Sequence, residues 1–136
     1  DVRLAAPSFK TNVAMATIGL TGCDIGISWF LPRVVGPGRA AEMMMTGKFV
    51  HADQAERWGL VNSVHADVDL AGLDMAKQML SLAPLALQLT KDGLNHSLTN
   101  NLEAQIALED RQQVITGMDP AFKEAVLNFL SRKGKL

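Results

Sequence analysis

Residues 31–62 read LPRVVGPGRAAEMMMTGKFVHADQAERWGLVN, and glycines divide this stretch into short elements. The Gly-Pro-Gly at 36–38 separates two predicted helices, because glycine relaxes the backbone and proline removes a hydrogen-bond donor. Gly47 follows the second helix, where a glycine commonly caps a C-terminus, and the run Met43–Met45 is typical of adaptable core packing. The predicted elements are two short helices, an extended piece, a third helical segment and a strand, at 28–35, 39–46, 48–50, 52–58 and 61–64.

The sequence on either side of this stretch predicts one strand before it and four helices after it. The strand covers 2–6. Pro84 and Pro120 suit the first position of a helix, where a missing N–H does no harm, and Asn100 with Glu103 three residues later resembles a capping box. The four helices are predicted at 69–82, 84–96, 100–117 and 120–133. The chain is therefore expected to be mostly helical with a few short strands.

The composition is that of an ordinary globular protein and limits the classes of function. The chain has 136 residues, 48% of them hydrophobic and 20% charged, with a formal net charge of −1; this argues against a disordered chain. A pI near 6.3 lacks the basic excess of a nucleic-acid binder, and no apolar run reaches the roughly 20 residues that span a bilayer. The single cysteine, Cys23, fits a reducing compartment, and His51, His65 and His96 lack metal-ligand spacing. We expect no nucleic acid, membrane or metal partner.

The segment 19–26, which reads GLTGCDIG, is the part of the sequence richest in glycine. It matches neither a Walker A loop nor Gly-X-Gly-X-X-Gly. Glycines before a helix permit close approach of the backbone, and they put Asp24 near the helix N-terminus. Two interpretations stay open at this point: Asp24 is a structural cap of the following helix, or it is a functional carboxylate.

Several blocks of sequence occur in a fixed order, at 31–36, 40–47, 52–62, 82–91 and 122–133. Together they resemble the enoyl-CoA hydratase/isomerase (crotonase) family, which typically shows Leu-Pro-Arg, a gap, Leu-Thr-Gly and then Ala-X-X-Ala-X-X-Gly-Leu-Val. The resemblance extends over essentially the whole chain. It indicates the family more strongly than it indicates the reaction.

The resemblance implies a fold. Members of the family form the α/β ClpP/crotonase spiral of repeated β-β-α turns, followed by helices that assemble trimers and often hexamers. Residues 1–65 would be the last part of the spiral core, and 66–136 the C-terminal helical oligomerisation region. Both oxyanion-hole segments of the family lie upstream of the strand that 1–4 resembles, so this chain is expected to be the C-terminal half of a longer protein. Such a half would expose apolar surface that the spiral normally covers.

The resemblance also implies a candidate catalytic residue. The second glutamate of the hydratases would stand four residues before Gly19, where this chain has Met15, whose thioether cannot act as a general base. The sequence Asp24-Ile25-Gly26 is similar to the Asp-Val-Gly of the family's dienoyl-CoA isomerases, in which the aspartate shuttles a proton. Its distance to the Leu-Pro-Arg block agrees when one extra residue is allowed before it. Asp24 is therefore the candidate catalytic residue.

The last predicted helix carries the candidate substrate-binding residues. In the hydratases a Phe and a basic residue three positions later, from a neighbouring subunit, contact the adenine end of CoA. Phe129 and Arg132 occupy those positions, with Lys133 adjacent; an aromatic face suits adenine and a cation suits phosphate. A plainer interpretation stays open, in which Phe129 belongs to an apolar core stripe and Arg132 merely suits a helix C-terminus.

Two functions of different class follow from these expectations. In the first, the parent protein is an acyl-CoA enzyme of fatty-acid metabolism, such as β-oxidation, that hydrates a 2-enoyl-CoA or moves its double bond through a thioester enolate. It would need no cofactor, because the CoA thioester is the substrate, and would act in the cytoplasm or mitochondrial matrix as a homotrimer or hexamer. In the second, the chain is a non-catalytic remnant that serves as a structural or oligomerisation module. These residues alone are expected to be inactive, since both oxyanion segments are missing.

Overall fold

The computed structural model describes residues 1–133, with side chains described for 1–131. It divides into two compact units, one over Asp1–Asp74 and a second that starts at Met75. The described part is mostly helical with short strands, as the sequence predicts. The strands β1–β4 lie at Leu4–Ala5, Lys10–Thr11, Val50–His51 and Ser63–Val64. A 3₁₀ helix covers Met15–Ile18, and the helices α1–α7 lie at Ile27–Val35, Pro37–Thr46, Ala52–Arg57, Val68–Leu80, Pro84–His96, Leu102–Gly117 and Pro120–Lys133. Within this described part, no helix has both the length and the apolar character to cross a membrane.

The strands of the first unit pair residues that are far apart in sequence. β1 runs parallel to β4, with Leu4 opposite Ser63, and β2 runs antiparallel to β3. The backbone N–H of Asn62 donates to the carbonyl of Arg3 at 2.7 Å, which extends the first pair. The sequence predicts the two strands of this pair at 2–6 and 61–64. Both are present, but each is only two residues long.

The core of the first unit is formed by small and medium apolar side chains from the strands and from α1 to α3. Met43 and Val50 are its largest fully buried side chains. Met44 also packs against the core, whereas Met45 is 80% exposed, so the core prediction for this methionine run is right for the first two residues and wrong for the third. Successive helical residues point in different directions, and three in a row cannot share one face. The buried core residues are Ala5, Val13, Leu31, Val35, Ala40, Met43, Val50, Ala55 and Val61.

Gly47 ends α2, as predicted, and brings it close to the 3₁₀ segment. It has a positive φ of 65°, and its N–H donates to the carbonyl of Met43 at 3.0 Å. A Cβ at this position would collide with Cγ2 of Thr17. The side-chain amide of Asn12 donates to the Gly47 carbonyl at 2.8 Å. This hydrogen bond also holds the end of α2 against the segment that precedes the 3₁₀ helix. Both the backbone conformation and the available space therefore require glycine here.

We expect Gly47→Ala to lower the free energy of unfolding more than Gly19→Ala does. Both glycines have positive φ, which disfavours an L-residue by roughly 1–2 kcal/mol. Only at Gly47 does the new Cβ meet a neighbour, since the space beside Gly19 is open, and overpacking should add roughly 1–3 kcal/mol. Thr17→Ser in the Gly47→Ala background should recover this extra loss. Urea unfolding midpoints measure the difference, and equal losses at the two glycines would contradict it.

The helices of the second unit begin largely where the sequence predicts, with one correction. The prolines at the start of α5 and α7 occupy the first turn. The N-cap of α6 is Asn101, whose side-chain oxygen accepts a hydrogen bond from Ala104 N at 2.9 Å. Asn100 instead donates to Gln105 Oε1 at 3.1 Å, so the predicted capping box of Asn100 with Glu103 is wrong. Two consecutive asparagines have equal capping ability, and the sequence alone does not decide which one ends the turn.

We expect Asn101→Ala to loosen the first turn of α6, because the N–H of Ala104 loses its acceptor. Loss of an N-cap typically costs about 1 kcal/mol, and Asn101→Ser should retain most of the cap. Amide hydrogen exchange at Ala104 measures the effect, with Asn100→Ala as the matched control. Faster exchange in Asn100→Ala than in Asn101→Ala would mean that Asn100 is the cap after all.

Apolar residues recur at helical spacing on α4 and α7, and the resulting faces lie largely uncovered in the described part of the chain. Leu73 and Leu80 of α4 are exposed, and so are Phe122 and Leu130 of α7. Helical spacing therefore located apolar faces that nothing in the described part buries. The exposure of apolar surface is therefore as expected, and its covering by the spiral of a longer protein stays a prediction.

Candidate active site

Asp24 lies in the turn between the 3₁₀ helix and α1. Gly19, with a φ of 82°, ends the 3₁₀ helix, and two consecutive left-handed residues follow Asp24: Ile25 with a φ of 44° and Gly26 with a φ of 85°. The N–H of Ile27 donates to the carbonyl of Asp24 at 2.9 Å and closes the turn. The chain reverses immediately before α1, which places the Asp24 side chain at the outer surface of the turn.

The Asp24 carboxylate is exposed and held by one oxygen only. Oδ1 accepts a hydrogen bond from Ile25 N at 2.8 Å, and no described residue donates to Oδ2. The N-cap residue of α1 is Gly26, which makes no side-chain cap bond. The interpretation of Asp24 as the cap of this helix is therefore wrong, because the two left-handed residues separate its carboxylate from the N–H groups of the first helical turn.

Met15 serves as packing in this structure. It lies in the 3₁₀ helix and is one of the partly buried apolar side chains that pack against the core. The position at which the resemblance places a hydratase glutamate therefore carries an apolar contact. This side chain offers neither a proton acceptor nor a charged ligand for a water molecule.

Large apolar side chains flank Asp24 in the sequence and stay exposed. The ring of Phe30 packs over the turn, since a Cβ on Gly26 would lie 3.1 Å from it. The guanidinium of Arg33 lies 3.4 Å from the ring centroid of Trp29 and donates to the Trp29 carbonyl at 2.9 Å. The start of α1 and the loop before it thus carry several exposed apolar side chains within a few residues of Asp24. These residues are Ile18, Leu20, Ile25, Trp29 and Phe30.

The predicted CoA-binding residues belong to α7, in the second unit. Phe129 is 57% exposed, so its ring is not buried in a core stripe, as the plainer interpretation required. The side chains of Arg132 and Lys133 lie outside the described residues. The predicted roles of all three residues stay predictions.

Among the other titratable groups of the described residues, the pairs that the structure shows are ordinary surface interactions. No set of three His, Cys, Asp or Glu side chains among them could hold a metal ion. His65 Nε2 lies 2.8 Å from Ser63 Oγ. Arg57 donates to Asp53 Oδ2 at 2.9 Å, and this hydrogen bond lowers the pKa of the Asp53 carboxyl below its ordinary value. Such an exposed i,i+4 pair is typical of a solvated helix face.

A cavity of about 630 Å³ lies within the second unit, between α5, α6 and α7. Its walls combine apolar side chains such as Leu89 with the carboxyl groups of Glu109, Asp110 and Asp119. These carboxylates would repel the phosphates of CoA, so the cavity does not suit that end of a thioester. Sequence reasoning missed it, although small residues at helical spacing on α5 line one wall: Ala86, Thr90, Gly93 and Ser97.

Comparison with known proteins gives consistent matches over the whole chain. The sequence model of the family described as enoyl-CoA hydratase/isomerase matches residues 1–135. The chain is 33% identical over 135 residues to the 1,2-epoxyphenylacetyl-CoA isomerase of Escherichia coli (strain K12), covering 98% of this chain and 51% of that protein. It is 37% identical over 130 residues to a probable enoyl-CoA hydratase of Mycobacterium tuberculosis, covering 93% of this chain and 46% of that protein.

The solved structures agree with the sequence matches. A probable enoyl-CoA hydratase/isomerase from Mycobacterium abscessus superposes with a TM-score of 0.91 at 31% identity, covering 99% of this chain and 52% of the other. The chain thus spans about half the length of the relatives that it matches. The names of the relatives include isomerases, hydratases and a dehalogenase that acts on a benzoyl-CoA.

Proposed function

Because this chain belongs to the enoyl-CoA hydratase/isomerase family, we propose that the protein that carries it is an acyl-CoA enzyme in which Asp24 transfers the proton. The observation that carries the proposal is the state of the Asp24 carboxylate: exposed, with Oδ1 held by Ile25 N at 2.8 Å and Oδ2 without a donor among the described residues. A carboxylate in this state is oriented and still free to accept a proton. The chain spans about half the length of its relatives, so the activity is proposed for the whole protein.

The proposed chemistry passes through a thioester enolate. Asp24 accepts a proton from a carbon of the acyl group, the electron pair of that C–H bond moves toward the thioester carbonyl, and the oxygen becomes negative. The protonated carboxyl then returns the proton to a carbon of the same substrate. The backbone N–H groups that stabilise the enolate oxygen in the family have no counterpart in these residues by resemblance, and would come from the rest of the protein.

Double-bond isomerisation fits these residues better than hydration does. Hydration needs groups that hold and activate a water molecule while a proton is delivered to carbon, and Met15, which packs against the core, supplies no carboxylate for this task. Isomerisation needs one group that accepts and returns a proton, which is the chemistry that Asp24 offers.

A second candidate function is a non-catalytic structural or oligomerisation module. The apolar packing of Met15 and the exposed apolar faces of α4 and α7 favour it. It assigns no chemical role to Asp24, so kinetic measurements on that residue separate the two functions.

We expect Asp24→Asn to lower kcat by roughly 10²–10⁴, the usual contribution of a general acid–base group. The measurement is turnover of the full-length protein on a panel of 2-enoyl-CoA and dienoyl-CoA substrates, scored for both hydration and double-bond shift. The asparagine keeps the shape and can still accept the hydrogen bond from Ile25 N, so folding should be preserved.

Asp69→Asn is the matched control, because Asp69 is an exposed aspartate in the first turn of α4. This variant should retain the original kcat. Unchanged turnover in Asp24→Asn on every substrate would remove Asp24 from the reaction, and an inactive full-length protein would support the structural module.

We propose further that Phe129, Arg132 and Lys133 contact the adenine and phosphates of CoA. In this proposal they act from a neighbouring subunit of a homotrimer or hexamer, and exposed apolar side chains such as Leu130 supply surface for assembly. The exposed thiol of Cys23 suits the reducing cytoplasm or mitochondrial matrix in which the enzyme would serve fatty-acid breakdown.

Arg132→Glu should weaken the binding of an acyl-CoA roughly tenfold at low ionic strength, because a charge-assisted hydrogen bond to phosphate is replaced by repulsion. The effect should shrink as salt is added. Isothermal titration calorimetry at several salt concentrations measures it, with Lys123→Glu as a control that makes the same charge change earlier in α7. An affinity that is unchanged, or lowered equally in both variants, would contradict a specific role for Arg132.

A further inference from the structure

Ile25 adopts a backbone conformation that is unfavourable for its residue type. Its φ of 44° is the only positive φ of a non-glycine residue in the described part of the chain. The left-handed region crowds the Cβ of an L-residue, and branching at Cβ makes the crowding worse. Glycine or asparagine adopts this conformation with less strain, yet the sequence has isoleucine here.

The described residues give the Ile25 side chain almost no packing that offsets this strain. The Ile25 side chain is 91% exposed, so it gains almost nothing from burial in this structure. Its backbone has a clear task, because its N–H holds Asp24 Oδ1 at 2.8 Å, but an asparagine or glycine backbone would perform that task equally well. The backbone role therefore does not explain why residue 25 is an isoleucine. Residues with strained backbone conformations concentrate at functional sites.

We propose that Ile25 is a specificity-determining residue whose side chain contacts the acyl portion of the CoA thioester beside Asp24. This inference rests on the proposed function. The acyl chain is the occupant that fits, since it is apolar and must bring a carbon within reach of the Asp24 carboxylate. Ile25 directly follows Asp24, binds its Oδ1 through the backbone N–H and has an exposed side chain, so that side chain is available to an acyl chain that approaches Asp24. The rings of Trp29 and Phe30, four and five residues later on α1, are exposed as well.

The contact also has a chemical consequence. An apolar side chain beside a carboxylate displaces water when the substrate is bound, and electrostatic interactions strengthen as water leaves. The Ile25 backbone orients Asp24 through Oδ1, and its side chain covers the acyl carbon on which Asp24 acts. One residue thereby serves both the position of the base and the choice of substrate.

The decisive variant is Ile25→Asn, because asparagine tolerates the left-handed conformation and removes the apolar contact. In the full-length protein we expect its urea midpoint to equal or exceed that of the original. Its dissociation constants for non-reacting butyryl-CoA, octanoyl-CoA and dodecanoyl-CoA should rise increasingly with chain length, by about tenfold for the longer chains. Ile25→Val should behave like the original protein, and Ile106→Asn, at an exposed isoleucine of α6, should leave all three affinities unchanged.

The outcomes separate this inference from the proposed function. Equal affinities of Ile25→Asn and the original protein for every chain length would overturn it, as would an equal loss at every length. A lowered urea midpoint together with unchanged affinities would show that another protein segment covers Ile25, which also overturns it. Because saturated acyl-CoAs do not react, binding is measured whether or not Asp24→Asn retains turnover, and loss of the catalytic role leaves the test of Ile25 intact.

Discussion

The close contact between the C-terminal end of α2 and the segment before α1 is the constraint on which the first unit depends. It is made at two glycines: a Cβ on Gly47 would collide with Thr17, and a Cβ on Gly22 would lie 3.1 Å from the carbonyl oxygen of Met44. The same turn of α2 carries Met43, which is fully buried, so this end of the helix is anchored in the core. The chain before Asp24 is thereby held at Thr17 and at Gly22, and Asp24 stands two residues after the second contact.

The ends of the helices in the first unit could be predicted because residues at those ends determine them. Gly36, Pro37 and Gly47 interrupt a helix whatever surrounds them, and the structure places the ends of α1 and α2 at these residues. The turn at Asp24 could not be predicted in the same way. The left-handed conformation of Ile25 contradicts the local preference of a residue branched at Cβ, so no rule of local propensity predicts it. The assignment of Asp24 as a helix cap failed for this reason.

Periodicity predicted which faces of the helices are apolar, but not what covers them. The side chains of Leu73 and Phe122 show the limit, since their spacing is that of a buried stripe and both are exposed. The relatives are about twice as long as this chain. Helical spacing can therefore identify an apolar face correctly even though no described residue buries that face. The cavity between α5 and α7 arises from the angles between three helices, and these angles are decided by packing rather than by spacing within one helix.

The geometry of Asp24 bears directly on the reaction proposed for it. Oδ1 accepts a hydrogen bond from Ile25 N and Oδ2 has no donor among the described residues, so in the proposal both the donating and the accepting carbon come within reach of Oδ2. A double-bond shift along one acyl chain meets this condition, since the two carbons belong to one substrate and can lie on the same side of it. Hydration asks for a further group that positions water on the substrate, and Met15, which stands where the resemblance places the second glutamate of the hydratases, makes an apolar contact instead. The proposed preference for isomerisation therefore depends on two features, the N–H of Ile25 that orients Asp24 and the thioether of Met15, which supplies no second carboxylate.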